Sequence, residues 1–254
     1  MGKIIAIYNQ KGGVGKTTTA VNLSSCVAEA GKKVLLTDVD PQGNSTGGLG
    51  VNKREMAVSA YDVLLGSAKA EDAILSLPFK NLSLLPGDVQ LAGVEVELVS
   101  AQRRESRLKA ALATVREQYD YIFIDCPPSL GLLALNALVA ADTVLIPIQC
   151  EYYALEGLSQ LMTTLRQVKR LYNPTLEVEG VLLTMCDGRL NLTQQVAAEV
   201  KRFFPKKVFS TAIARGVRLS EAPSYGKPIN YYDRSCRGCV AYRALADELI
   251  RHNR

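Results

Sequence analysis

The chain has 254 residues, 48% of them hydrophobic and 22% charged, which suits one sizeable globular core and excludes a disordered or low-complexity protein. No stretch approaches the ~18 consecutive apolar residues that a membrane-spanning helix needs, and the N-terminus has no signal-peptide pattern, so we expect a cytoplasmic protein. The net charge is +5, and residues 201–254 carry twelve Lys and Arg against four Asp and Glu, an excess compatible with a phosphate backbone but also common on solvated surfaces.

Apolar runs typical of strands alternate with segments of helical periodicity along the chain. The predicted strands are residues 4–8, 34–39, 82–85, 121–125, 143–148, 181–185 and 208–213. The predicted helices are residues 17–30, 106–118, 130–140, 154–171, 192–204 and 240–251. Several strands are apolar at nearly every position, which is typical of a parallel sheet covered on both faces. The alternation predicts one α/β domain over residues 1–254, with a doubly wound, mostly parallel sheet flanked by helices and a mobile surface segment at residues 47–59.

A glycine-rich segment follows the first predicted strand and opens the first predicted helix. It reads Asn9-Gln10-Lys11-Gly12-Gly13-Val14-Gly15-Lys16-Thr17-Thr18. Its end matches the phosphate-loop pattern G-x-x-x-x-G-K-[ST], but Gln10 stands where the first glycine belongs, and Lys11 adds a second cation. Glycines let backbone N–H groups converge on phosphate oxygens, and the helix start adds its positive dipole end. Lys16 can neutralise the β and γ oxygens, and the Thr17 hydroxyl can hold Mg²⁺.

Carboxylates follow two other predicted strands. Asp38 and Asp40 end the second strand, and Asp125 ends the strand at residues 121–125 in the manner of a Walker B motif. The carboxyl ends of parallel strands meet at the ligand-binding edge of an open α/β sheet. One such aspartate is often only a helix cap, but three beside a phosphate loop indicate a site for Mg²⁺ and ATP.

Six cysteines are scattered through the sequence, most of them in apolar runs where buried free thiols are expected. Cys236 and Cys239 form the one close pair, C-x-x-C. Without a second pair of ligands it is weak evidence for zinc or redox chemistry.

Three segments together resemble the ParA/Soj family of chromosome- and plasmid-partitioning ATPases, the deviant-Walker class of P-loop NTPases. They are K-G-G-V-G-K-T-T at residues 11–18, D-V-D-P-Q-G at residues 38–43 and D-C-P-P-S-L-G at residues 125–131. The similarity continues through residues 150–157 and 218–224 and covers nearly the whole chain. Because the sequence starts directly at the phosphate-loop strand, it looks like the short form of the family, without an N-terminal DNA-binding extension.

The resemblance implies a role for individual residues. The implied nucleotide-binding set is Gln10, Lys11, Gly12, Gly13, Val14, Gly15, Lys16, Thr17, Thr18, Ala214 and Gly216. Lys11 looks like the signature lysine that reaches the ATP of a second subunit, and Asp40 looks like the residue that positions the hydrolytic water. These two and Lys16 are the implied catalytic residues. Thr17 would hold Mg²⁺ directly, with Asp38 and Asp125 behind it.

The resemblance also implies partners: a second copy of the chain in an ATP-dependent dimer, non-specific double-stranded DNA, and a ParB-type protein that stimulates slow hydrolysis. Arg189 and Arg218 look like the DNA-binding arginines, with ordinary solvated surface arginines as the alternative. The ATP-bound form would associate with the nucleoid, with no membrane as partner. The adenine-side segment Ala214-Arg215-Gly216 departs from the P-R-N of relatives, so base preference is open there.

Two alternatives share these motifs. A membrane-surface ATPase of the MinD type needs a C-terminal amphipathic helix that lies on lipid, whereas the last helix here is expected to pack on the core. An iron protein of the nitrogenase type needs cysteines that bridge a cluster at a dimer axis, and only Cys126 follows the Walker B aspartate.

Overall fold

The computed structural model describes residues 2–151 and 154–253, without the side chains of residues 154–156 and 192. Within these residues, seven strands form one sheet in the order β3-β4-β2-β5-β1-β6-β7. The strands are β1 (Lys3–Ile7), β2 (Val34–Asp38), β3 (Leu75–Ser76), β4 (Leu82–Leu85), β5 (Tyr121–Asp125), β6 (Thr143–Gln149) and β7 (Glu177–Thr184). All neighbours are parallel except β3 and β4. The predicted α/β fold with a mostly parallel sheet is confirmed.

Helices connect the strands and cover the sheet. They are α1 (Lys16–Glu29), α2 (Asn44–Gly48), α3 (Ala60–Leu65), α4 (Ala70–Ala73), α5 (Val94–Glu97), α6 (Arg107–Val115), α7 (Leu132–Ala140), α8 (Ala154–Leu171), α9 (Asn191–Phe203), α10 (Val217–Glu221), α11 (Ile229–Tyr232) and α12 (Arg237–His252). None of the helices in the described ranges combines the length and the apolar character that a bilayer crossing requires.

Both faces of the sheet are buried, as the uniformly apolar strands predict. Alternate residues of β5 belong to different core clusters, because side chains along a strand alternate between its two faces. Ile122 and Ile124 pack in a cluster with α6, α7, α8 and α9. Phe123 packs in a second cluster with α1 and α12. The sheet is therefore wound on both sides, and its carboxyl edge is left for the connecting loops.

The predicted strand at residues 208–213 is wrong. Val208 forms an isolated bridge with Val181 of β7, Ala214 forms another with Cys186 just beyond β7, and Ile213 N donates to the Leu183 carbonyl at 2.9 Å. Between the bridges, the backbone N–H groups of Ser210 and Thr211 donate to the carboxylate of Glu248 in α12, at 2.6 and 3.1 Å. These N–H groups are used by a side chain, so a continuous ladder with β7 does not form.

The predicted surface segment at residues 47–59 is only partly exposed. Residues 50, 52–55 and 57 are exposed, whereas Leu49 and Ser59 are buried. Ser59 begins α3 through a capping box, in which its hydroxyl accepts from Tyr61 N and its own N–H donates to the side chain of Asp62. A helix start therefore fixes the end of the segment.

Several element boundaries differ from the prediction. β7 begins at Glu177, four residues earlier than expected, and α7 begins at Leu132, two residues later. α12 begins at Arg237 instead of residue 240, because the Cys236 sulfur accepts from the backbone N–H of Cys239 and caps the helix. The two-residue strand β3 and the short helices α2 to α5, α10 and α11 were not predicted, since they are too short for a periodic signal.

One buried amide fixes the connection between α7 and β6. The Asn173 side chain is 2% exposed, and its Nδ2 donates to the carbonyls of Leu138 and Ala141 at 2.9 and 2.7 Å. Its Oδ1 accepts from Thr175 Oγ1 at 2.9 Å. The amide thereby satisfies the terminal carbonyls of α7 from a residue more than thirty positions away in the chain.

Asn173→Ala should lower the free energy of unfolding by about 2–3 kcal/mol, because buried carbonyls lose their donor. Urea denaturation followed by circular dichroism measures this change. Asn191→Ala, which alters an exposed asparagine at the start of α9, is the matched control and should stay near wild type. Equal losses in the two variants would contradict the role of the amide.

Candidate functional site

The predicted phosphate loop joins β1 to α1 at the carboxyl edge of the sheet. Gly13 and Gly15 have φ of 73° and 88°, a left-handed conformation that favours glycine. Gly15 is the N-cap of α1, so the N-cap residue has no side chain to cap the first turn of that helix. A Cβ at Gly12 or Gly13 would meet no atom within 4 Å, so the loop borders open space. The start of α1 thus offers its first N–H groups to an anion.

Two side-chain hydrogen bonds tie the loop to other elements. Gln10 Nε2 donates to Thr164 Oγ1 in α8 at 2.8 Å. Thr184 Oγ1, at the end of β7, donates to the carbonyl of Val14 at 2.8 Å. The departure from the ordinary phosphate-loop pattern at Gln10 therefore gives the loop an anchor that a glycine could not provide.

The two lysines of the loop have different surroundings. Lys16 is 7% exposed, and its Nζ donates to the carbonyl of Lys11 at 3.0 Å. Burial lowers the pKa of Lys16, while the nearby carboxylates of Asp125 and Asp40 act in the opposite direction. The Lys11 side chain is 39% exposed, and its Nζ lies 3.7 Å from the carboxylate of Glu151. One cation therefore faces into the loop, and the other lies at its rim.

Asp38 and Asp125 are register partners on the neighbouring strands β2 and β5, and both are fully buried. Thr46 binds Asp38 Oδ2 through both its N–H and its hydroxyl, at 2.9 and 2.8 Å. Ser45 Oγ donates to Asp125 Oδ2 at 2.8 Å. The first turn of α2 thus holds both carboxylates in place with hydroxyl groups.

Asp125 Oδ1 is a buried oxygen with no hydrogen-bond partner among the described residues. Burial raises the pKa of Asp125, the Asp38 carboxylate raises it further, and the hydroxyls of Ser45 and Thr17 lower it. Burial likewise raises the pKa of Asp38. A cation beside these groups would relieve both desolvation and repulsion. The orphaned oxygen and the nearby Thr17 hydroxyl fit the oxygen-rich surroundings that Mg²⁺ requires.

The protein groups alone do not form a metal cage. In the described ranges, no cluster of three or more His, Cys, Asp or Glu side chains could hold a metal ion by itself. Mg²⁺ usually keeps several waters and binds through one or two protein groups together with substrate phosphates. The arrangement therefore suits a cation that arrives with a nucleotide.

Asp40 lies at the mouth of this arrangement. It lines a cavity of about 400 Å³ together with Gly12, Lys16 and Thr17. Its Oδ1 accepts from Gln42 N at 2.9 Å, which fixes the carboxylate through a local turn. The cavity brings together the loop glycines, the buried lysine and a carboxylate, as the sequence predicts.

A second cavity, of about 490 Å³, adjoins the first and shares Gly15, Thr18 and Met185 with it. Ala214 and Gly216 line this second cavity, opposite Tyr242 of α12. The two predicted adenine-side residues therefore lie in one cavity that adjoins the phosphate loop, and its volume is large enough for a nucleoside.

Arg189 and Arg218 lie outside both cavities. The Arg189 side chain is 89% exposed and forms two hydrogen bonds with Asp187, at 2.9 and 2.7 Å. The Arg218 side chain is 57% exposed and pairs with Glu221 at 2.9 Å and with Asp233 at 3.5 Å. The two arginines are accessible to a ligand, and each is balanced by local carboxylates.

Sequence reasoning missed several residues of the site. Ser45, Thr46, Thr164 and Thr184 hold the carboxylates and the loop, but hydroxyl side chains are too common to single out. Ser45 and Thr46 could have been found from their position two and three residues after the D-V-D-P-Q-G segment. Tyr152 and Tyr153 of the family-like segment at residues 150–157 lie outside the described residues.

Cys126 does not have the character of a cluster ligand. It is fully buried, and burial beside Asp125 raises the pKa of its thiol, whereas metal ligation requires a thiolate. The C-x-x-C pair lies at the start of α12 with one thiol acting as the helix cap. Neither feature favours the iron-protein alternative.

Comparison with known proteins agrees with this architecture. Residues 2–178 match the family model described as an AAA domain. The chain is 59% identical to the sporulation initiation inhibitor protein Soj of Bacillus subtilis, covering 98% of both chains. It is 52% identical to the chromosome partitioning protein ParA of Myxococcus xanthus, covering 100% of this chain and 89% of the relative. The structure of cobyrinic acid a,c-diamide synthase from Mycobacterium smegmatis with bound ATP analog and magnesium is 37% identical, with a TM-score of 0.90 over 100% of this chain and 96% of that one.

Identity at this level over almost the full length of both relatives extends well beyond the phosphate loop, which many unrelated proteins share. The matched segments include the carboxylate-bearing strands that form the site. The chain therefore belongs to the Soj/ParA family of chromosome-partitioning ATPases.

Proposed function

We propose that the chain is an ATP-dependent DNA-partitioning switch. Mg²⁺-ATP binds in the two adjoining cavities and joins two copies into a sandwich dimer that binds double-stranded DNA non-specifically on the nucleoid. Hydrolysis, slow in the isolated chain and stimulated by a ParB-type protein, returns the monomer. The observation that carries the proposal is the pair of loop lysines in different surroundings, one buried in the loop and one at its rim.

Lys16 serves the bound nucleotide of its own chain. Its ammonium group needs only to exchange the Lys11 carbonyl for phosphate oxygens, which are stronger acceptors because they are charged. The N–H groups at the start of α1 and a Mg²⁺ ion beside Thr17 would neutralise the remaining phosphate charge. That assignment is supported by a solved structure, 37% identical to this chain, that contains a bound ATP analog and magnesium.

Lys11 is available to a second copy. Its ion pair with Glu151 joins side chains that are 39% and 50% exposed, and a pair of this kind contributes about 0–1 kcal/mol to stability. A triphosphate in the partner's cleft is a much stronger competitor for the ammonium group. The ammonium group of Lys11 would then stabilise the negative charge of the transition state only in the dimer, as an arginine finger does.

Lys11→Ala should leave nucleotide binding by the monomer intact and abolish ATP-dependent dimerisation, because the lysine supplied to the partner is lost. Gel filtration with a non-hydrolysable ATP analogue measures the dimer, and fluorescent-nucleotide titration measures binding. Glu151→Gln is the control, since it removes the intrachain ion pair and keeps the lysine, and it should still dimerise. A normal dimer in the alanine variant would remove Lys11 from its role.

Asp40 is the residue of the cleft best placed to orient water. Its carboxylate is 7% exposed, is fixed by Gln42 N, and lines the same cavity as Lys16 and Thr17. A carboxylate in this position can accept a proton from the attacking water or hold it in line. We therefore assign Asp40 to hydrolysis, and Asp38 and Asp125 to the cation.

Asp40→Ala should slow hydrolysis by about 10²-fold or more, because the oriented water is lost, and the ATP dimer should accumulate. Phosphate release and gel filtration with ATP measure these two effects. Asp72→Ala, at an exposed aspartate of α4, is the matched control and should turn over normally. Unimpaired phosphate release by Asp40→Ala would assign the step to another group.

DNA binding is assigned to Arg189 and Arg218. Exposed guanidinium groups without base-reading surroundings can contact phosphates but cannot read a sequence. Each arginine has a carboxylate partner in the isolated chain, so DNA must displace Asp187 or Glu221 in order to bind. A single site is therefore weak, and a dimer that presents each arginine twice gains through multivalency.

Arg189→Ala should weaken DNA retention by the ATP form and lower the slope of log K against log salt by about 0.9 for each phosphate that the variant no longer neutralises. A salt series of mobility-shift measurements supplies both values. Arg202→Ala is the matched control, because Arg202 is 82% exposed and also pairs with a nearby glutamate, but it lies on α9. Identical salt slopes for Arg189→Ala and wild type would make Arg189 an ordinary surface residue.

The membrane-surface alternative is less well supported. It calls for a C-terminal amphipathic helix whose apolar face is free to lie on lipid. Here α12 packs on α1 and buries Tyr242, Leu245 and Leu249. The curated relatives named for partitioning also favour the DNA proposal.

A further inference from the structure

Two thiols meet at the carboxyl edge of the sheet, beside the proposed site. Cys150 directly follows β6 and Cys186 lies two residues beyond β7, and their sulfur atoms are 2.8 Å apart. A disulfide bond is about 2.05 Å long. The two sulfurs are therefore less than 1 Å from bonding distance, and both thiols are free.

The backbone holds the two residues in this position. Cys150 N donates to the Thr184 carbonyl at 3.1 Å, and Cys186 N donates to the Ile213 carbonyl at 3.0 Å. Cys150 and Cys186 follow the last register partners of β6 and β7, Gln149 and Thr184, by one and two residues. A bond between the sulfurs would need side-chain rotation and little movement of the backbone.

The two thiols differ in accessibility and in acidity. Cys186 is partly exposed, whereas Cys150 is 6% exposed. The hydrogen bond from Cys150 lowers the pKa of Cys186, and the same contact together with burial raises the pKa of Cys150. Redox-sensing cysteines combine an accessible thiol of low pKa with a neighbouring resolving thiol, and this pair has both parts.

We propose that Cys150 and Cys186 form a reversible disulfide when the protein meets a peroxide. The Cys186 thiolate attacks one oxygen of hydrogen peroxide, the O–O bond breaks, and the departing hydroxide takes up a proton as water. The Cys150 sulfur then attacks the resulting sulfenic acid, its own proton leaves with the hydroxyl group as a second water, and the S–S bond forms. The peroxide gains the two electrons that the thiols lose, and a dithiol reverses the reaction.

The disulfide would lie between two segments that carry residues of the proposed function. Cys150 precedes Glu151, the partner of Lys11, and Cys186 precedes the turn that carries Asp187 and Arg189. The disulfide would join these two segments covalently, and disulfides in a reducing compartment are mostly transient bonds of this sensing kind. The modification itself is independent of the nucleotide switch proposed above.

The other cysteines provide internal controls. Burial raises the pKa of Cys26 and Cys126, so both should remain unreactive. The C-x-x-C pair is the main competitor, but its hydrogen bond joins the Cys236 sulfur to the backbone N–H of Cys239 at 3.4 Å and does not join the two thiols. Burial also raises the pKa of Cys239.

The test oxidises the reduced full-length protein with hydrogen peroxide, alkylates the remaining thiols, and identifies linked peptides by tandem mass spectrometry without reduction. Trypsin alone leaves Cys126 and Cys150 in one peptide, because no Lys or Arg lies between residues 117 and 165. A second digestion with chymotrypsin separates them. We expect one linked pair, Cys150 with Cys186, the loss of two of the six thiols, and full recovery with dithiothreitol.

Three variants make the result decisive. Cys150→Ser should stop the link while Cys186 is still oxidised, and Cys186→Ser should leave Cys150 reduced under the same treatment. The double variant Cys236→Ser with Cys239→Ser should form the link as wild type does. A link confined to Cys236 and Cys239, or oxidation of Cys186 while Cys150 stays available for alkylation in wild type, would overturn the proposal. Far-ultraviolet circular dichroism confirms that each variant is folded.

Discussion

The candidate site depends on one constraint, the placement of two carboxyl groups side by side in the buried sheet. The parallel register of β2 and β5 makes Asp38 and Asp125 direct neighbours in the sheet, where water cannot screen them. The hydroxyls of α2 satisfy one oxygen of each residue, and the second oxygen of Asp125 is left without a partner among the described residues. The surrounding features serve this arrangement: the phosphate loop on β1 supplies positive charge, and Thr17 lies within reach of the same carboxylate. A cation that enters with a nucleotide would offset the free-energy cost of burying these two carboxylates.

The parts of the site that sequence reasoning recovered are those in which chemistry is local. Gly15, Lys16 and Thr17 are contiguous, and their proposed roles follow from backbone conformation and the start of a helix. Asp38, Asp40 and Asp125 were found because the ends of parallel strands meet at one edge. The residue pattern alone did not distinguish the roles of the three aspartates, and the family resemblance implied a separate role for Asp40.

What escaped sequence reasoning depends on contacts between distant parts of the chain. Residues 208–213 have the composition of a strand, but a glutamate about forty positions later occupies their N–H groups. In the sequence, Gln10 is only a departure from the phosphate-loop pattern. In the structure, its amide donates a hydrogen bond to Thr164 of α8. The meeting of Cys150 and Cys186 likewise depends on the register of β6 and β7 and on the backbone bonds beyond the strand ends. Periodicity along the chain carries no information about such pairs.

The helix α12 supports the second cavity, although it lies far from the phosphate loop in the sequence. Through Glu248, α12 holds the backbone of residues 210 and 211, a few positions before Ala214 in the wall of the second cavity, and through Tyr242 it lines that cavity directly. The Tyr242 hydroxyl also lies 3.3 Å from Thr19 Oγ1 in the first turns of α1. Shortening the protein into this helix would therefore open one wall of the second cavity, although no residue of the phosphate loop would have been changed. A reporter joined to this end of the chain should follow a flexible linker that leaves every turn of α12 packed.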